Sequence, residues 1–98
     1  MIDTIRRQEL RFIVRGETAR ADRLARRVTD KQLKRRIMLA SARIAEIESS
    51  FLDQLDDRHP SQEACWLDNA EAILEMRLTE LGRLEVAAAT ASDDATTM

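Results

Sequence analysis

The middle of the chain carries the clearest repeat of apolar positions, with intervals of three and four residues. The stripe comprises Leu33, Ile37, Ala40, Ile44, Ile47 and Phe51, widened by Met38, Ala45 and Leu52. This spacing is typical of a helix that buries one face. Asp30, or Thr29 together with Gln32, is suited to cap its start by accepting a free backbone N–H. The pattern predicts a helix at about 31–56.

A second stripe follows the only proline, Pro60, which suits a first helical turn because its missing N–H is not needed there. Its members are Trp66, Leu67, Ala70, Ile73, Leu74, Leu78, Leu81 and Leu84. The stripe predicts a helix at about 61–88. Residues 89–98 are mostly small and polar, and they offer too little apolar surface to offset the entropy of ordering. We expect a flexible tail there.

The N-terminal segment, predicted as a helix at about 3–28, shows two apolar sets. Leu10, Val14, Ala21, Leu24 and Val28 share one face, whereas Ile2, Ile5 and Phe12 point about a third of a turn away. Gly16 lies between the sets. It is either a tolerated glycine costing about 1 kcal/mol, a kink, or the boundary of a half-helix that serves a second partner.

The first two helices are predicted to be separated by a turn at 29–31. If the two helices were one continuous rod, the apolar faces before and after Thr29 would point in directions that differ by roughly 150°. A turn allows the apolar face of each helix to pack against the other. The predicted fold is therefore an all-α, three-helix up-down-up bundle of long helices, with a single domain at 1–88. Because domains of this size bury only about 60% of their unfolded surface, we expect a homodimer that forms a larger coiled-coil-like helical bundle.

Composition excludes several other classes of protein. Three aromatic residues, two glycines and one proline are too few for a fold built from many strands and turns. The sequence lacks both a run of about 18 apolar residues and the short apolar block of a signal peptide, so we expect a cytoplasmic protein with no membrane contact. Cys65 is the only cysteine and is expected in the core, and its spacing from His59 fits no usual ligand pattern. We expect no metal and no cofactor.

The net charge of −2 conceals strong segregation of charge along the chain. Residues 1–44 carry a formal +8 and residues 45–98 a formal −10. In an up-down-up bundle the window 20–36, at +6, gathers at one end, which we call the basic pole, and most of the window 46–75, at −8, gathers at the other. Parallel first and third helices would place Arg6, Arg7, Arg11 and Arg15 near Glu63, Asp68, Glu71 and Glu75.

The second helix is charged against its own dipole, with lysine and arginine at its start and aspartate at its end. Each such charge costs about 0.3–1 kcal/mol at low salt, so compensation is expected. An antiparallel second copy would supply it, as would an external polyanion, while the simplest interpretation is a solvated charged face. The candidate interaction surface comprises Arg20, Arg23, Arg27, Lys31, Lys34, Arg35 and Arg36 with the apolar Ile5 and Phe12.

The sequence does not predict catalysis, because no phosphate-binding glycine loop, Ser/His/Asp set or HExxH motif occurs. The segment 24–28, LARRV, resembles the L-A-x-x-V part of the first-helix motif of the small all-helical chorismate mutases. That resemblance covers about eight residues and departs at the position of the family's catalytic arginine, which is Ala21 here. The upstream isoleucine–aspartate repeat is also missing.

The sequence therefore predicts a non-catalytic protein–protein interaction module, such as an adaptor, a small chaperone or a regulatory subunit. Its partners would be a second copy of itself and another protein. The alternative is a small nucleic-acid-binding regulator that uses the 20–36 segment. Against that alternative, no aromatic residue interleaves the arginines, and the isoelectric point near 5.4 is low for a nucleic-acid binder.

Overall fold

The computed structural model describes the backbone of residues 4–54 and 60–96 and the side chains of residues 5–54 and 64–90. Helix α1 spans Thr4–Arg27, helix α2 spans Lys31–Ile47 and continues as a π-helical turn at Glu48–Leu52, and helix α3 spans Pro60–Thr96. No strand occurs in the described ranges. The prediction of an all-helical fold with three helices is confirmed.

The predicted break between the first two helices lies at residues 28–30. Asp30 is the N-cap of α2: its φ and ψ of −66° and 121° are extended, and its Oδ1 accepts a hydrogen bond of 3.0 Å from the Leu33 N–H. A carboxylate here satisfies one of the four unpaired N–H groups of the first turn. The cap fixes where α2 starts and lets its apolar face turn back onto α1.

Helix α1 runs without a break through Gly16, whose φ is not positive. Its buried side chains include Leu10, Val14, Ala21 and Ala25. The second apolar set faces away from the bundle, because Ile5 and Phe12 are 71% and 81% exposed. Ile2 lies outside the described residues.

Most of the predicted stripe positions form the core. The buried apolar side chains of α2 and α3 are Ile37, Ala40, Ile44, Ile47, Leu52, Leu67, Ala70, Leu74, Leu81 and Leu84. The prediction of burial is wrong for three stripe positions, since Met38, Ala45 and Trp66 are exposed. Met38 and Ala45 lie a residue beyond the α2 stripe, where the helix already faces solvent. Trp66 instead makes an edge-to-face contact with Phe51, with ring centroids 5.4 Å apart.

The π-helical turn explains why the α2 stripe ends differently from the sequence pattern. The Asp53 N–H donates to the Glu48 carbonyl oxygen at 2.7 Å, a bond between residues five apart. The wider turn replaces the expected step of four, from Ile47 to Phe51, with a step of five to the fully buried Leu52. The predicted end of this helix at 56 is also wrong, because Asp53 and Gln54 already form a turn.

Helix α3 begins at Pro60, one residue before the predicted start, and extends eight residues past the predicted end at 88. The physical reason lies in the segment 87–91, in which four of five residues are alanine, the residue with the strongest helix propensity. Local propensity thus continues the backbone helix beyond Leu84, the last buried side chain among the described residues of α3. The predicted tail at 89–98 is therefore helical as far as Thr96.

The bundle is long and narrow, with principal extents of 60 × 18 × 16 Å. The start of α1 meets the start of α3 through Arg6 and Asp68, and Arg11 of α1 meets the end of α2 at Glu48. These contacts give the up-down-up order. Ser41, the buried polar residue of α2, donates to Asp22 Oδ1 on α1 at 2.7 Å and fixes the register of the two helices.

Candidate interaction surfaces

The acidic end of the bundle is held by ion pairs between helices. Arg6 contacts Asp68 Oδ1 at 2.5 Å and Glu71 Oε1 at 3.0 Å, as the sequence predicted. The hydrogen bonds to Glu71 and Asp68 raise the pKa of Arg6 above its usual value. Arg11 and Arg15 differ from the prediction, because they contact the end of α2 and not the start of α3.

Glu48, in the π-helical turn, is the centre of the second group. Its Oε1 lies 2.7 Å from Arg15 Nη2 and 3.2 Å from Arg11 Nη1, and Arg11 also reaches Asp53 Oδ1 at 2.8 Å. The hydrogen bond from Arg15, aided by the charges of Arg15 and Arg11, lowers the pKa of the Glu48 carboxyl. Glu48 and Asp53 are thus paired with arginines from α1, which offsets the unfavourable interaction of these two carboxylates with the dipole at the C-terminal end of α2.

The basic pole has much less internal compensation. Arg20 pairs with Glu17 Oε2 at 2.7 Å and with Glu85 Oε1 at 3.0 Å, so this residue of the candidate surface is engaged within the bundle. Within the described residues, no ion pair is formed by Arg23, Arg26, Arg27, Lys31, Lys34, Arg35 or Arg36, all of which are exposed. A cavity of about 540 Å³ lies beside the start of α2, lined in part by Arg35 and Arg36. Uncompensated cations therefore gather at one end.

A second surface, the α1 outer face, consists of Ile5, Glu9, Phe12, Gly16 and Arg23, all exposed and spaced to lie on one side of α1. A shallow cavity of about 380 Å³ lies over its N-terminal half. A Cβ built on Gly16 would meet no atom within 4 Å. The face is therefore apolar and acidic at one end, open in the middle and basic at the other end.

A third surface, the α2–α3 groove, was missed by the sequence analysis. This cavity of about 560 Å³ is lined by Arg36, Leu39, Ala40, Arg43, Met76, Arg77, Glu80 and Arg83. Leu39 and Met76 are 51% and 72% exposed. The four lining residues on α2 follow the spacing i, i+3, i+4, i+7, which is the signal that could have indicated a second face of this helix. The neighbouring apolar stripe has the same spacing and was interpreted as the core face.

The described residues show little that resembles a reactive centre. No group of three or more His, Cys, Asp or Glu side chains within them is arranged to hold a metal ion. The prediction of Cys65 as a core residue is wrong: it is exposed, because it precedes the buried Leu67 by two residues, on the solvent side of α3. His59 lies outside the described residues. Among the described helices, none is long and apolar enough to cross a membrane.

Comparison of the chain with family models, with curated proteins and with solved structures finds no match. The protein belongs to the all-helical class, and its exposed surfaces are the features from which a function can be inferred.

Proposed function

We propose that this protein is a small, non-catalytic helical module for protein–protein interaction, and that its first partner is a second copy of itself. The observation that carries the proposal is the exposure of Phe12 and Ile5 on a helix whose opposite face is fully used by the core. Large aromatic side chains that become buried between proteins contribute strongly to association. An amphipathic adaptor or regulatory subunit acts through a face of this kind.

The charges on the α1 outer face favour an antiparallel arrangement of the two copies. Glu9 and Arg23 lie seven residues before and after Gly16, or about 10 Å along the helix in each direction. Two copies that cross at Gly16 in opposite directions bring Glu9 of each beside Arg23 of the other. A parallel pair would instead oppose like charges. In the antiparallel pair Phe12 of each copy faces Arg20 of the other, whose aliphatic stem and guanidinium can cover the aromatic ring. Because Gly16 has no side chain, the two helices can approach closely at the crossing.

The test is sedimentation equilibrium of the wild type and of charge variants at about 50 mM and about 500 mM salt. We expect a dimer that weakens at high salt. Glu9→Arg and Arg23→Glu each turn two attractive contacts into repulsive ones, so each variant should raise the dimer Kd at least about tenfold. Combining Glu9→Arg with Arg23→Glu restores opposite charges and should recover most of the affinity.

Glu75→Arg is the matched control, since Glu75 is an exposed carboxylate on α3, away from the α1 outer face. It should leave the dimer unchanged. Phe12→Ala tests the apolar contribution and should weaken the dimer without lowering helical content, because Phe12 packs little within the bundle. A wild-type monomer at both salt concentrations, or a double variant no better than the single ones, would overturn the proposed pairing.

The second candidate function is nucleic-acid binding at the basic pole. The observation in its favour is the set of exposed cations at the start of α2 that form no ion pair within the described residues. Lysine and arginine side chains of this kind neutralise phosphates and release counterions. A gel shift with generic duplex DNA and RNA at several salt concentrations separates the candidates. Binding that falls with salt, and that the Arg35→Ala, Arg36→Ala double variant weakens, would favour this alternative.

A further inference from the structure

We propose that the α2–α3 groove is a second docking site and that its occupant is a short amphipathic helix with acidic flanks. The groove lies between α2 and α3 and includes none of the α1 outer face, so the inference is independent of the proposed self-association. Three features carry it: the apolar centre, the placement of four arginines, and the length of the groove.

The apolar centre consists of Leu39 and Met76, with the buried Ala40 at its base. These two large side chains lie on neighbouring helices and expose more than half of their surface. Methionine adapts its shape readily and is common on surfaces that bind helices. Two adjacent apolar side chains of a ligand helix would fill this centre.

The arginines lie in pairs at the two ends of the groove. A guanidinium Nη1 of Arg77 donates to the carbonyl oxygen of Arg43, which places these two residues together. Because α2 and α3 run in opposite directions, Arg36 and Arg83 lie toward the other end. Glu80 is the only acidic lining residue, and its contact with Arg83 is long, at 3.8 Å, and solvent-exposed. The lining therefore carries a formal charge of +3.

The length sets the register of the occupant. Arg36 and Arg43 are seven residues apart, or about 10 Å along α2, which is two helical turns. Two carboxylates at i and i+7 of a ligand helix are separated by the same distance, and residues i+3 and i+4 lie between them on the same face. A ligand with acidic residues at i and i+7 and apolar residues at i+3 and i+4 matches both the charges and the apolar centre. A nucleic acid would match the charges and leave Leu39 and Met76 unused.

The test is fluorescence anisotropy with a fluorescein-labelled peptide of about 15 residues in an alanine–glutamine background. The probe peptide carries Glu at i and i+7 and Leu at i+3 and i+4. In one control peptide both Glu residues are Gln, and in another the Glu spacing is i and i+5. We expect the probe to bind at least about tenfold more tightly than either control, with affinity that falls as salt rises.

Protein variants then locate the site. Met76→Ser and Arg36→Glu should each weaken the probe at least about tenfold. Met38→Ser and Arg26→Glu are matched controls, since both residues are exposed and neither lines the groove, and they should bind as the wild type does. Circular dichroism verifies that all four variants remain helical.

The proposal is overturned if the probe binds no better than its glutamine control, or if Met38→Ser weakens it as much as Met76→Ser. A single-stranded 20-nucleotide DNA provides the remaining comparison. If that DNA binds more tightly than the probe and responds to Arg36→Glu but not to Met76→Ser, the groove is an electrostatic nucleic-acid site and the acidic-helix proposal fails. Phe12→Ala should leave probe binding unchanged, because Phe12 does not line the groove. A failure of the proposed self-association can therefore be distinguished from a failure of the proposed docking site.

Discussion

Gly82, in the interior of α3, is a position where a single methyl group should stabilise the protein. Its φ is not positive, and a Cβ built there would meet no atom within 4 Å. Gly82→Ala therefore adds no clash and buries little new surface. What remains is the difference in helix propensity and unfolded-chain entropy, about 0.5–1 kcal/mol in favour of alanine. For a domain of this size, that free energy raises Tm by about 2–8 °C.

Gly16→Ala offers a matched comparison, because Gly16 is also helical and a Cβ built there also meets no atom within 4 Å. In the isolated bundle the two substitutions should stabilise to a similar degree. In the dimer they should differ, since a methyl group at the proposed crossing point separates the two copies of α1. Overpacking of this kind costs about 1–3 kcal/mol, so Gly16→Ala should raise the dimer Kd by about fivefold to 150-fold.

Thermal and urea unfolding followed by circular dichroism at 222 nm measure the first effect. Because a dimer makes Tm depend on protein concentration, these measurements belong in the Arg23→Glu background. Sedimentation equilibrium measures the second effect. An unchanged or lower Tm for Gly82→Ala would refute the propensity argument. A dimer equally strong in Gly16→Ala and Gly82→Ala would refute a crossing centred on Gly16.

Two further predictions concern the contacts between helices. Because its arginine partners lower the pKa of Glu48, the ion pairs stabilise the fold above the unfolded carboxyl pKa of about 4.5, and that stabilisation is lost as pH falls through the lower folded value. The difference in free energy of unfolding between wild type and Glu48→Gln, measured by urea titration, should shrink below pH 4.5. Ser41→Ala removes the hydrogen bond to Asp22 and should lower the free energy of unfolding by about 1 kcal/mol, with the exposed Ser49→Ala as control. Equal effects of the two serine substitutions would contradict the assigned role of Ser41.

Sequence reasoning located the features that depend on local rules. The three-and-four spacing from Leu33 to Ile47 identified the buried face of α2, and the two candidate caps, Thr29 and Asp30, located its start, with Asp30 the cap that the structure shows. The angular positions of Ile5 and Phe12 also separated them from the buried face of α1, and the structure shows that both side chains are exposed. Each of these conclusions needs only the 3.6-residue repeat and the chemistry of a helix terminus.

The remaining features depend on contacts between distant parts of the chain. The π-helical turn at Glu48–Leu52 breaks the helical repeat itself, so a regular pattern did not show that Leu52 is fully buried whereas Phe51 packs half-buried against the core. Helix α3 extends beyond its apolar stripe because the alanine run has a high helix propensity and does not need a buried side chain to remain helical. The α2–α3 groove exists only where two helices pack, and residues more than 30 positions apart along the chain, such as Arg43 and Arg77, meet in it.

The length of the bundle changes what a net charge of −2 means for an approaching molecule. The Debye length at physiological ionic strength is about 8 Å, whereas the long axis measures 60 Å. A charged partner near one end therefore senses only that end, and the opposite charges at the far end are screened from it. During a diffusional encounter the two ends therefore act as independent charged surfaces. A partner that approaches the basic pole meets net positive charge, and one that approaches the other end meets net negative charge.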